Sequence, residues 1–153
     1  MNYEIEYFQP HNQYIKVKAE FNVENLDQTV ITFPSWRPGR YELADFSKNI
    51  NHWQCFDENG KVLSSNKISK NEWSVDSVNT KKITVTYQYF SNELNAGSTY
   101  MDDQQLYVNP VNCLAYFGAY NPAEQYFENL ILDANHTYYI VVASSNENSL
   151  FTY

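Results

Sequence analysis

Apolar and polar residues alternate with period two through much of the chain. Tyr3, Ile5 and Tyr7 are interleaved with Glu4 and Glu6, and Ile15, Val17, Ala19, Phe21 and Val23 with Lys16, Lys18, Glu20 and Asn22. Ile83, Val85, Tyr87 and Tyr89 repeat the pattern against Thr84, Thr86 and Gln88. Side chains on a strand point to opposite faces in turn, so each run predicts a strand with one buried and one wet face. Shorter strand candidates are residues 29–33, 50–56, 72–75, 106–108, 114–117 and 137–143. The last contains an unbroken apolar run, Tyr138-Tyr139-Ile140-Val141-Val142, which predicts a strand covered on both faces.

Turn signals punctuate these runs. Asn59-Gly60, within Asp57-Glu58-Asn59-Gly60-Lys61, predicts a two-residue hairpin loop. Pro38-Gly39 suits the centre of a type II turn, since Pro fixes the first φ and Gly supplies a positive second one. Asn95-Ala96-Gly97-Ser98 marks a further loop. No window sustains a 3.6-residue apolar stripe; residues 41–49 and 122–130 predict at most a helical turn or two each. The expected fold is therefore all-β: an antiparallel β-sandwich or a strongly twisted two-sheet domain. With no repeat and no linker, residues 1–153 read as a single β-rich domain.

Composition supports that class. A chain of 153 residues buries roughly 68–70% of its unfolded surface without metal or disulfide. Aromatic residues make up 17% (14 Tyr, 9 Phe, 3 Trp) against 4 Gly and 5 Pro, which excludes disorder and favours strands. The net charge of −8, with no basic cluster beyond Lys81-Lys82, speaks against nucleic acid as a partner; that pair reads as a solvated strand edge. Cys55 and Cys113 are expected as buried reduced thiols rather than a disulfide. The N-terminus lacks a basic stretch followed by an apolar run, so no signal peptide is seen and a cytoplasmic location is favoured. No apolar run is long enough to span a membrane.

Catalytic motifs are missing from the sequence. His11, His52 and His136 lie far apart, with no H-E-x-x-H pair and no Cys-x-x-Cys, so no metal ligands are assigned. There is no Gly-x-Ser-x-Gly elbow and no Gly-rich phosphate cradle. Asp102 and Asp103 are adjacent; on a strand they would diverge, whereas in a loop they would converge, either as a solvated acidic turn or as part of a binding face. Residues 33–46 form the most unusual segment, holding both arginines of the chain, two prolines and four aromatics. Arg37 and Arg40 either clamp a carboxylate or pair with Glu42 and Asp45, with Trp36 and Tyr41 plugging the sheet.

That segment resembles a signature of the glycyl-aminopeptidase family of zinc metallopeptidases. Trp36-Arg37-Pro38-Gly39-Arg40-Tyr41, then Asp45-Phe46 and Asn49, are similar to that family's N-terminal domains. Tyr3-Glu4-Ile5, Tyr14, Asn71-Glu72-Trp73, Thr99-Tyr100-Met101-Asp102-Asp103 and Asn112-Cys113-Leu114-Ala115-Tyr116-Phe117 follow in the expected order, and the likeness covers residues 3–120. The resemblance implies an N-terminal domain of a modular parent. There a thermolysin-like domain carries the zinc and a PDZ domain usually follows, both absent from this chain. It implies a non-catalytic accessory role: the domain packs on the catalytic domain of the same polypeptide and helps shape the cleft that takes the peptide substrate. Tyr100, Asp102 and Asp103 are then expected to face the substrate, a carboxylate suiting its free amine. Trp36, Pro38, Gly39, Tyr41, Asp45 and Phe46 are the structural signature. The chain itself is expected to need no cofactor, zinc belonging to the absent domain. The competing readings are a free-standing binding module for peptide or carbohydrate, using exposed aromatic rings, and a pure interaction domain.

Overall fold

The computed structural model describes residues 1–118, apart from 8, 24, 25, 38 and 41, and the backbone of 137–140. The alternating runs become strands. β1 (Asn2–Glu6), β2 (Tyr14–Asn22), β7 (Lys82–Phe90) and β4 (Ile50–Phe56) form one antiparallel sheet in the order β1-β2-β7-β4. The second sheet runs β10-β3-β6-β5, from β3 (Gln28–Thr32), β5 (Ser65–Lys67), β6 (Glu72–Asp76) and β10 (Tyr116–Phe117). The inward faces of the two sheets share one buried cluster: Ile15, Val17, Phe21, Val85 and Tyr87 from the first, and Ile31, Trp73 and Val75 from the second, closed by Phe33. The molecule is the expected all-β sandwich.

A third, smaller sheet joins β8 (Tyr100–Met101), β9 (Gln105–Val108) and β11 (Thr137–Ile140). Here the pairing of β11 with β9 is parallel, in contrast to the antiparallel pairings of the two larger sheets. The apolar run at 138–142 thus does start a strand, and its remainder lies outside the described residues, as does the helical candidate at 122–130. The candidate at 41–49 yields a 3₁₀ turn, Phe46–Asn49.

Several local expectations are corrected. The Asn59-Gly60 connection has three residues rather than two. Only Gly60 takes a positive φ (81°), and the Asp57 carboxylate accepts from the amides of Asn59 (2.8 Å) and Lys61 (2.9 Å). A type I′ loop needs positive φ at two positions; one such residue closing a longer loop gives a bulged turn instead. Lys82 does not mark a sheet edge, because β7 is an interior strand; its ammonium lies 3.3 Å from Glu20 on the outward face. A short helix, α1 (Pro110–Cys113), follows β9: Asn109 caps it by accepting from the Val111 amide and Pro110 fills its first turn.

Strand β4 carries a bulge. Asn51 pairs with Gln88 and Gln54 with Thr86, so His52 and Trp53 together oppose Tyr87 alone. His52 absorbs the extra residue with φ 51° and stays exposed. The shift aims Trp53 inward, where its ring stacks on Trp73 (4.7 Å between centroids) and on Tyr87 (5.9 Å). Cys55 and Cys113 are free and buried, as expected; burial pushes their thiols up to about 11 and about 12. No helix of the described residues is long and apolar enough to cross a membrane.

Candidate functional site

The signature segment leaves β3 through Phe33, which is fully buried and clasped by Asn71. The Phe33 amide donates to the Asn71 carbonyl (2.9 Å), and the Asn71 side chain donates back to the Phe33 carbonyl (2.8 Å). The segment then folds on itself: the Ala44 amide donates to the Ser35 carbonyl (2.8 Å), and at its tip the Arg40 amide reaches the Arg37 carbonyl (3.3 Å). Gly39 supplies the positive φ, 82°, that this tip needs. Pro38 and Tyr41 lie outside the described residues.

Asp45 takes a left-handed conformation (φ 45°), starts the 3₁₀ turn, and pairs with Lys70 at 3.2 Å rather than with an arginine. Phe46 is buried. Asn49 ends the turn and donates to the hydroxyl of Tyr89 on β7 (3.1 Å). Trp36 does not plug the sheet: it is 52% exposed. The core places expected for Trp36 are filled by Trp53, Trp73 and Phe33, whose rings pack together.

This loop roofs a cavity of about 260 Å³. Its polar wall holds Arg37, Arg40, Glu42, Lys48 and Glu93, and its apolar wall Leu43, Ala44, Phe46 and Phe90. Asn49, Tyr89, Ser98 and Thr99 complete it. Both arginines of the chain therefore meet in one place. Arg40 makes an ion pair with Glu42, as the sequence suggested. Lys48 lies 4.0 Å from Glu93, whose carboxylate also accepts from the Ser98 hydroxyl (3.2 Å). Arg37 is half-buried, and its guanidinium occupies the space beside Gly97 where any Cβ would collide with it.

Gly97 is itself held from behind. Its carbonyl accepts from Asn109 and Asn112, both buried and both at 2.8 Å, and its amide donates to the Asn95 side chain (2.9 Å). The Thr99 hydroxyl donates to the Asn109 carbonyl (3.2 Å) and accepts from the Asn109 amide (3.0 Å). Motifs as far apart as Arg37, Asn49, Thr99 and Asn112 thus converge on this cavity and its support. Gly97, Asn109, Lys48, Tyr89 and Glu93 were not singled out from the sequence. Gly97 and Tyr89 were legible only as a loop and a strand position, and Asn109-Pro110 carried a further local signal, a cap residue followed by a proline suited to a helix start.

Tyr100, Asp102 and Asp103 lie on the β8–β9 hairpin. The Asp102 carboxylate is used inside the turn: Oδ1 accepts from the amides of Gln104 (2.9 Å) and Gln105 (2.8 Å), and Oδ2 accepts from the Tyr100 hydroxyl (3.1 Å). Those amide hydrogen bonds lower the Asp102 pKa, and the bond to Asp102 raises that of Tyr100. Asp103, at the tip, is exposed. The two acids do not share a proton site; Asp102 builds the turn and Asp103 presents the outward carboxylate.

Zinc does not fit the described residues of this domain. Among them no group of three or more His, Cys, Asp or Glu side chains comes together to hold a metal. His11 and His52 are exposed, and His136 lies outside the described residues. No step of a peptidase reaction is assigned to this chain's own side chains.

A crystal structure of an aminopeptidase N family protein from Idiomarina loihiensis superposes with a TM-score of 0.71 at 28% identity, over 77% of this chain. The match covers 20% of that protein, so the chain spans about a fifth of its length. No curated protein matches the chain. The model of the Peptidase M61 N-terminal domain matches residues 2–149, running well past residue 120, where the recognisable motifs fade. Matched over nearly its whole length, the chain belongs to the Peptidase M61 N-terminal domain family.

Proposed function

We propose that the chain is the non-catalytic accessory domain of a zinc-dependent aminopeptidase, packing on the catalytic domain of the same polypeptide and helping to shape its substrate cleft. The observation that carries this reading is the family match over residues 2–149. The 20% share of the structural relative agrees with it, leaving most of such a protein for other modules. In this reading a zinc-activated water in the neighbouring domain performs hydrolysis, a PDZ domain lies further on, and this chain alone is inert. Leu43 (75% exposed), which lines the cavity, and the exposed Leu94 (70%) and Trp36 supply apolar contacts for a packed neighbour.

The β8–β9 turn is the part we assign to the cleft, with Asp103 offering its carboxylate to the substrate's ammonium and Tyr100 and Asp102 fixing the turn. The test uses the parent enzyme carrying Asp103→Asn or Asp102→Asn, assayed on substrates with free and with blocked amines. A raised KM for free-amine substrates, larger for Asp103→Asn, is expected. An unchanged KM in both variants removes the cleft role, and full peptidase activity from this chain alone removes the accessory reading. The carbohydrate-binding alternative gains nothing from the tryptophans: Trp53 and Trp73 stack in the interior and of the three only Trp36 faces solvent, so they form no exposed row.

A further inference from the structure

The cavity under the signature loop is asymmetric in charge. Arg40 is neutralised by Glu42, and Lys48 stands by Glu93. Arg37 is half-buried, yet among the described residues no carboxylate lies within ion-pair reach of it. A guanidinium withdrawn from water without a counter-charge is costly unless something else compensates it. Its seat is built rather than accidental: Gly97 leaves the space, and two buried asparagines lock the Gly97 carbonyl in place.

We propose that this cavity is a carboxylate-binding site, with Arg37 as its anchoring cation and the apolar wall of Leu43, Phe46 and Phe90 taking the stem that bears the carboxylate. A guanidinium offers two parallel N–H donors that match the two oxygens of a carboxylate. The Tyr89 hydroxyl accepts from Asn49 and keeps its own proton, since burial raises its pKa, so it is a second donor on the wall. One unneutralised positive charge suits a monoanion; Glu42 and Glu93 repel a dianion such as phosphate. The volume, about 260 Å³, exceeds the roughly 30 Å³ of a water several-fold and admits a carboxylate on a short aliphatic chain. Such a group comes either from a free small acid or from an acidic side chain of a polypeptide. The site needs nothing from the accessory-domain reading.

Only two arginines are present, so the guanidinium Nε–Hε NMR spectrum of the 153-residue chain holds two signals, assignable with Arg37→Gln and Arg40→Gln. Two probes are titrated against sodium chloride at matched ionic strength. One is sodium butyrate; the other is an N-acetyl, C-amide tripeptide, Gly-Glu-Gly, with one side-chain carboxylate. A saturable shift of the Arg37 signal is expected, weakened at least tenfold in Arg37→Gln and partly retained in Arg37→Lys. Tighter binding of butyrate identifies a free acid as the ligand class, and tighter binding of the tripeptide a polypeptide carboxylate. A response to chloride equal to that of both carboxylates, or no saturable shift in the unaltered chain, overturns the proposal whether or not the variants fold.

Discussion

The hydroxyl of Tyr87 donates to the carbonyl of Cys113 at 2.7 Å, tying an interior strand of the first sheet to the end of α1. The same oxygen accepts from the Ala115 amide (3.2 Å), whose carbonyl in turn accepts from Tyr3 (2.6 Å). All of these groups are buried. Replacing Tyr87 with Phe keeps the ring packing but strands a buried carbonyl and a buried amide. An unsatisfied buried partner costs about 1–3 kcal/mol, so Tyr87→Phe is expected to lose stability in that range. Urea denaturation with an unchanged m-value checks it; a loss below 0.5 kcal/mol, taking about that as the smallest meaningful change, contradicts the geometry.

The same buried hydroxyls and thiols set the response to alkali. Burial, the largest cause in each case, raises Tyr3, Tyr87 and Tyr89 above their ordinary value of 10.0 and lifts Cys55 and Cys113 from 9.0 to about 11 and about 12. A group raised in the folded state holds its proton there after the unfolded chain has lost it. The stability it supports is therefore complete below the unfolded pKa and drains away as pH climbs toward the folded one. Urea midpoints are expected to stay level up to about pH 8 and to fall steeply from pH 9 upward. Thiol labelling at pH 8 is expected to be slow in the folded protein and fast in urea.

Within the signature loop, two substitutions separate backbone from side-chain roles. Gly39 sits at φ 82° with open space around it, so a side chain there meets strain rather than a clash. Gly39→Val is expected to cost about 1–3 kcal/mol. Trp36, half in solvent, is expected to cost less than about 1 kcal/mol on replacement by Ala, against the 3–5 kcal/mol typical of a buried ring. Melts showing the reverse ranking would mean that the ring packs and the turn tolerates a side chain.

Gly97 makes the complementary case. A Cβ there meets the far end of a flexible side chain, which is able to swing away. Gly97→Ala is therefore expected to leave the urea midpoint close to that of the parent while moving the Arg37 Nε–Hε resonance. A large loss of stability with an unmoved Arg37 signal would show that Gly97 serves the backbone alone.

How much of this was legible in the sequence depends on how local each signal is. The period-two runs announced β1, β2 and β7 within a residue, because one buried face is enough to set the alternation. The strand β5, with Ser65, Asn66 and Lys67, carried no apolar pattern, since it is held by pairing with β6 and leaves little buried. The cavity was half visible: the two arginines and Glu42 stood out as residue types. The seat at Gly97 did not, because it exists only where a loop sixty residues downstream is brought against the arginine by the fold. Trp36 was misread for the same reason; a tryptophan in an aromatic segment looks like core, and only the fold shows that its place there is taken by Trp53, Trp73 and Phe33.

The bulge at His52 gives the sharpest test of how pattern and fold correspond. Along β4 the inward side chains are Ile50, Trp53 and Cys55, a spacing of three and then two that no regular strand produces. Deleting His52 leaves Ile50-Asn51-Trp53-Gln54-Cys55, an unbroken alternation with the same three side chains inward. It also removes a non-glycine residue from the left-handed region, a strain of roughly 1–3 kcal/mol. Deleting Gln54 instead keeps the bulge and turns Cys55 and the rest of the strand to the wrong face. The first deletion is expected to fold cooperatively with stability within about 1 kcal/mol of the parent. The second is expected to lose several times more, on the order of 3–5 kcal/mol, as for a ruined core position. Calorimetry on both deletions decides it. If removing His52 is as damaging as removing Gln54, the bulge has a role that pairing and alternation do not capture.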